Sequence, residues 1–208
     1  MHINVLVRES KKGIVEAIRP GEWAGVDRGA YLLLKEGIHP KYTYGDFDSV
    51  DDGEWAFITR HMAVTPVPTR KDDTDLEICL KDLVAKGYLS IDVYGATGGR
   101  LDHTLANIFL LTRSSFSKAN IRLIDHQNIM QLLPAGQHTV AKAEGMRYVS
   151  FLPLAAGGNL SLGGFEYDLD NVELEVGRTL TISNEFKEEY ASVHTDATII
   201  MIQSRDDR

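Results

Sequence analysis

The sequence predicts an α/β domain with a mainly parallel sheet, followed by an all-β antiparallel sandwich domain. Three observations carry this expectation. Up to about residue 127, apolar runs of strand length alternate with runs of helical period, as in a parallel sheet covered by helices. The segments 138–143, 147–152, 158–163, 171–176, 190–195 and 198–203 are then short, often alternating, and separated by Gly, Asn or Asp. The length, 208 residues, suits two domains. The texture changes between Asp125 and Pro134, and we divide the chain into residues 1–127 and 128–208.

The elements follow in order. His2 to Arg8 reads as a first strand and Glu22 to Asp27 as a second, ending in Asp27-Arg-Gly-Ala30. Tyr31 to Glu36 reads as a helix stopped by Gly37. Tyr42 to Tyr44 is a short strand that runs into the turn Gly45-Asp-Phe-Asp-Ser49. Asp51 to His61 is helical, with acidic residues in its first turn where negative charge suits the dipole. Ala63 to Val67 reads as a strand, and Thr74 to Lys86 as a helix with Leu76, Cys79, Leu80, Leu83 and Val84 on one face. Leu89 to Tyr94 is a strand, Thr104 to Thr112 a helix, and Ile121 to Asp125 and Ile129 to Leu133 are further strands.

The stretch Gly95-Ala-Thr-Gly-Gly-Arg-Leu-Asp-His103 links a strand to a helix, and its residue types point to phosphate. Glycine lets the backbone approach a ligand closely. Free N–H groups at a helix start can hold an anion, and Arg100 adds a fixed fork of donors. Asp102 would repel bare phosphate, so its presence calls for a divalent cation between the two. Two more acidic clusters, Gly45-Asp-Phe-Asp-Ser49 and Lys71-Asp-Asp-Thr-Asp-Leu-Glu77, each fall between a strand and a helix. Taken singly, each is also ordinary loop or cap chemistry, and Thr74 with Glu77 fits a capping box. Taken together, they gather carboxylates at the carboxyl ends of strands, where open α/β sheets bind ligands. Hard oxygen donors beside phosphate favour Mg²⁺.

The formal charge of −8, without a basic stripe, argues against nucleic acid as a partner. An apolar content of 43% and a charged content of 25% are ordinary for a globular chain. The single cysteine, Cys79, excludes an internal disulfide and reads as a buried thiol. No apolar run approaches ~18 residues and the start lacks a signal-type segment, so the expectation is a cytoplasmic protein without a membrane span. In the second domain Ser183, Asn184 and Glu185 follow an apolar alternation, and read either as a polar turn or as a strand end presenting polar groups.

Asp27-Arg-Gly-Ala30, Gly45-Asp-Phe-Asp-Ser49, Asp72-Asp-Thr-Asp75, Gly95-Ala-Thr-Gly-Gly-Arg-Leu-Asp-His103 and Ile182-Ser-Asn-Glu185 occur in an order that resembles the thiamine pyrophosphokinases, particularly bacterial ones, from end to end. The resemblance implies an α/β catalytic domain followed by a β-sandwich, in a homodimer whose active sites are shared between chains. It implies transfer of the diphosphate of ATP to the hydroxyl of thiamine, with Mg²⁺, giving thiamine diphosphate and AMP. By motif, Asp46, Asp48 and Asp75 would hold metal, with Asp102 close by and Asp72 in the same catalytic group. Asp27, Arg28, Gly29, Lys71, Thr74, Gly98, Arg100 and His103 would border the nucleotide. Ser183 and Asn184 would hold the thiamine pyrimidine from the partner subunit. Asp102 and Asp72 are both candidates for the base.

Some relatives place a Trp against thiamine. Neither Trp23 nor Trp55 lies in the sandwich, and Phe186 and Tyr190 are candidates for the aromatic partner. Two other functions compete. Asp46-x-Asp48 is similar to the nucleophile motif of haloacid dehalogenase-type phosphatases, although that motif usually follows the first strand. A non-catalytic nucleotide-binding regulator would not need so many metal-ligand carboxylates.

Overall fold

The computed structural model describes residues 1–9, 20–64 and 73–206. It divides into two compact units, Met1–His126 and Gln127–Arg208. Among the described residues, the first unit contains β1 (His2–Leu6), β2 (Trp23–Val26), α1 (Arg28–Lys35), β3 (Tyr42–Tyr44), α2 (Asp52–His61), α3 (Asp75–Ala85), β4 (Ser90–Tyr94), α4 (Leu101–Leu110), a 3₁₀ turn at Ser114–Phe116 and β5 (Asn120–Ile124). Its strands run in the order β5-β4-β1-β2-β3, and every neighbouring pair is parallel. The order reverses between β1 and β4, where the carboxyl ends of adjacent strands diverge to leave a ligand crevice.

This sheet forms because its strands are apolar on both faces. Ile3 to Leu6 and all four residues of β2 are buried, the signature of a parallel sheet covered on both sides. Helix α1 splits its apolar residues between two clusters. Leu32 and Leu33 pack with Leu6, Trp23 and Tyr94, while Ala30 and Leu34 pack with Phe47 and Ile58. One charged pair is built into the sheet: Arg122 on β5 donates two hydrogen bonds, 2.7 and 2.5 Å, to the buried Asp92 opposite it on β4. Cys79 is buried and free on α3, as its position on the apolar face implied, and burial pushes its thiol up.

Three boundaries differ from the sequence reading. Helix α1 starts at Arg28, not Tyr31, because the Ala30 N–H closes back on the Asp27 carbonyl (3.0 Å) and begins the first turn early. Helix α4 starts at Leu101, not Thr104, with Arg100 as its N-cap residue. The strand expected at Ala63–Val67 lies mostly outside the described residues, and Ala63 and Val64 belong to no regular element.

The second unit contains β6 (Asn128–Leu133), β7 (Gly136–Ala141), β8 (Tyr148–Pro153), β9 (Asn159–Gly163), β10 (Leu169–Glu173), β11 (Asn184–Glu185), β12 (Tyr190–Thr195) and β13 (Ile199–Ser204). One antiparallel group runs β11-β8-β13-β6 and the other β10-β9-β12-β7. Val149, Phe151, Ile199 and Met201 from the first meet Leu160, Leu162, Ala191 and Val193 from the second in one core, a sandwich. The alternation Thr179 to Ile182 does not become a strand. Thr181 turns in, its hydroxyl donating to the Phe151 carbonyl, and pairing resumes only at Asn184. No helix among the described residues is long and apolar enough to cross a membrane.

Candidate active site

Three carboxylates converge at the carboxyl ends of the parallel strands. Asp27 follows β2, Asp46 follows β3, and Asp75 opens α3; one oxygen from each lies within 4.8 Å of the others. Their backbones are built for this. Asp27 and Phe47 both adopt left-handed φ, 48° and 60°, a conformation of non-glycine residues that carries strain and concentrates at functional sites. The Asp27 N–H donates to the Tyr44 carbonyl (2.8 Å), and the Asp27 carboxylate accepts from the Phe47 N–H (3.3 Å). Gly45 makes room for the pair: a Cβ there would stand 1.9 Å from Asp27 Oδ1. Any larger residue would push the two turns apart.

The charge density is visible in Asp27. Burial, then the charge of Asp75, and less strongly Asp46 and Asp48, push its carboxyl up to about 7, against the pull of the Phe47 N–H. Asp27, expected at the nucleotide, thus stands inside the carboxylate group. Asp48, expected as a ligand, is exposed and outside the three, its N–H donating to Asp46 Oδ1 (3.2 Å). Asp102 is also outside it. Arg100 holds the Asp102 carboxylate with two bonds, 2.6 and 3.1 Å, and with the His103 N–H lowers its pKa to about 2. Lys71 and Asp72 lie outside the described residues.

The neighbouring motif residues support this arrangement. Arg28 is committed to Glu54 of α2 through bonds of 2.7 to 3.1 Å, and Glu54 in turn completes a capping box with Asp51. Thr74 caps α3 by accepting from the Glu77 N–H (3.3 Å). The second half of the box expected there is replaced, because the Glu77 carboxylate meets Lys81 and Arg113 at 2.7 and 2.5 Å. Gly29 lies in the first turn of α1. Arg100 and His103 are exposed, and Gly98 has φ 80° with open space beside it.

In the second unit Ser183 has φ 59°, is exposed, and donates its N–H to Ser150 (3.0 Å). Asn184 is buried, and its amide is occupied by backbone. Its Oδ1 accepts from the N–H groups of Tyr167 (3.0 Å) and Glu185 (2.9 Å), and its Nδ2 donates to the Tyr167 carbonyl (2.8 Å). The residue so clamped, Tyr167, is 70% exposed. Of the two aromatics expected to meet a ligand, Phe186 is excluded: it is 7% exposed and packs on Phe165 in the core. Tyr190 is exposed on β12. Tyr167 escaped the sequence reading because it falls between the alternating segments 158–163 and 171–176, in a stretch without a motif; only the clamp marks it.

The comparisons with known proteins agree across both units. The family model described as the thiamin pyrophosphokinase catalytic domain matches residues 22–123, and the one described as the thiamin pyrophosphokinase vitamin B1 binding domain matches residues 137–200. The thiamine pyrophosphokinase of Bacillus subtilis is 39% identical over 193 residues, covering 88% of this chain and 87% of its own. A crystal structure of the Bacillus subtilis protein superimposes with a TM-score of 0.91 at 36% identity over the whole of both chains. The thiamin pyrophosphokinase of Candida albicans, 17% identical with a TM-score of 0.82, shares the fold over 99% of this chain and 89% of its own. With its two units, its ordered motifs and these likenesses, the chain belongs to the thiamine pyrophosphokinases, a family of enzymes.

Proposed function

We propose that the protein transfers the diphosphate group of ATP to the hydroxyl of thiamine, giving thiamine diphosphate and AMP in a Mg²⁺-dependent reaction. The observation that carries this is the meeting of Asp27, Asp46 and Asp75 within 4.8 Å, on the same strand ends as the glycine-rich turn. Their donor set fits Mg²⁺: all hard carboxylate oxygens, with Asp27 pushed up to about 7 by burial and then by the charge of Asp75. When bound there, the ion would screen the phosphate charge and align the reacting oxygens. The chain's own residues do the rest. Arg100, exposed at the start of α4, offers its fork to the phosphoryl oxygens, and Asp102 keeps it extended until nucleotide arrives. The acidic crevice also suits the fixed positive charge of the thiazolium.

The sandwich supplies the thiamine side. Tyr167 presents an exposed ring whose backbone Asn184 holds rigid, a platform for a cationic aromatic ligand. Ser183, adjacent to Asn184 in the chain, is exposed in strained backbone. The carboxylates and these residues belong to different units, and we place each active site across two chains of a homodimer. An apolar stripe on α4 supports association: Leu101, Leu105 and Phe109 recur every fourth residue and are 71%, 45% and 57% exposed. Incubation with ATP, Mg²⁺ and thiamine, followed by separation of products, tests the reaction. AMP and thiamine diphosphate in equal amounts, abolished by a chelator, support it. Free phosphate without thiamine diphosphate would instead favour a phosphohydrolase using Asp46.

A further inference from the structure

We propose that Arg8 is the positioning residue of the glycine-rich turn, holding two of its peptide groups, with Asn107 holding the one between them, so that their N–H groups face the phosphates of the nucleotide; this rests on the phosphate-transfer reading above. Arg8 lies just past β1, where the Val7 N–H donates to the Tyr94 carbonyl (3.0 Å) and carries the pairing of β1 with β4 to the edge of the turn. Its guanidinium spans the turn. Nε donates to the Gly95 carbonyl (3.1 Å) and Nη2 to the Thr97 carbonyl (2.8 Å). Asn107 of α4 donates to the carbonyl between them, Ala96 (2.8 Å). Three successive carbonyls are thus held by side chains.

A trans peptide is planar, and its N–H points opposite to its C=O. Holding the carbonyls of Gly95, Ala96 and Thr97 therefore turns the N–H groups of Ala96, Thr97 and Gly98 away from Arg8 and Asn107. Among the described residues no group accepts from those N–H groups. Successive free N–H groups in a turn form an anion-binding concavity. Arg8 also accounts for two of the glycines. A Cβ on Gly95, at φ 73°, would lie 2.1 Å from the Arg8 carbonyl, and one on Gly99 would lie 1.6 Å from Arg8 Nη1. Arg8 gives Nε and one Nη2 N–H to carbonyls of the turn, and the role assigned to it here is this hold on the turn.

A lysine keeps the charge but not the fork that bridges two carbonyls. Gly99→Ala leaves Arg8 in place chemically and drives its flexible end out of the turn. Both variants should fold. In protein labelled with ¹⁵N-glycine, the Gly95 and Gly98 amide signals should shift in Arg8→Lys and in Gly99→Ala. The KM for Mg-ATP should rise about ten- to a hundredfold in each, the scale of a misplaced binding group, with the KM for thiamine within about twofold. The double variant should be no worse than either single one, since both break the same hold. Unshifted glycine signals, an equal rise in the thiamine KM, or multiplying defects would overturn the proposal. If the wild-type protein fails to use Mg-ATP at all, the phosphate-transfer reading fails with the phosphate half of this proposal, while the glycine signals still decide whether Arg8 sets the turn.

Discussion

Replacing Asp75 by Asn keeps the shape of the carboxylate group and removes one charge, and its consequences have opposite sign with and without metal. In the metal-free protein the Asp27 carboxyl titrates at about 7 instead of 3.8. That gap corresponds to about 4 kcal/mol of disfavoured charge in the folded state. Burial is the largest cause and Asp75 the next. Water still reaches Asp27, so after discounting for screening the share of Asp75 is about 1 kcal/mol. The folded state binds the Asp27 proton more tightly than the unfolded chain, so stability falls as pH rises from about 4 to about 7. The gain from Asp75→Asn is therefore absent while Asp27 is protonated in both folded proteins, appears as pH nears about 7 and is complete above it. At pH 8 in a chelator, calorimetry should show a Tm about 3 °C above wild type. With Mg²⁺ present the order should reverse, because wild type gains the binding free energy and the variant loses most of it. A variant no more stable than wild type in chelator, or one that still gains as much from Mg²⁺, would refute the shared carboxylate site.

Three further outcomes follow from the same structure. Tyr167→Ala should raise the KM for thiamine about tenfold while Tyr167→Phe does not, and Asn184→Ala should behave like Tyr167→Ala if its role is to hold that ring, all measured by steady-state kinetics. Arg122→Ala leaves the buried Asp92 carboxylate unpaired and should cost about 3–5 kcal/mol in denaturant unfolding, without a specific change in either KM. Refolding Asp75→Asn together with the double variant Ser183→Ala, Asn184→Ala should return about a quarter of wild-type activity if sites are shared between chains, because half the dimers are mixed and each then carries one intact site. No recovery would place each site within one chain.

Much of this was legible in the sequence because it is encoded locally. The parallel sheet shows as apolar runs, the sandwich as period-two alternation, and the motifs as acidic or glycine-rich turns at strand ends. What escaped depends on groups distant along the chain. Asp27 joins Asp46 and Asp75 only because β2 and β3 lie side by side and Gly45 lacks a side chain. Arg8 meets Gly95 and Thr97 across more than eighty residues, and nothing in its own neighbourhood signals a turn-holding role. Asn184 looked like a ligand group because an amide at a strand end commonly is one; in the fold its hydrogen-bonding atoms hold Tyr167. Phe186 and Tyr167 have the same aromatic character in sequence, and only packing sends one to the core and the other to the surface.

ATP labelled at the β-phosphorus distinguishes transfer of an intact diphosphate from stepwise phosphate transfer or hydrolysis. In the presence of thiamine and Mg²⁺ the label should pass entirely into thiamine diphosphate, with unlabelled AMP released in equal amount and no ADP formed. Label retained in ADP, or released as free phosphate while thiamine stays unmodified, would contradict transfer of an intact diphosphate.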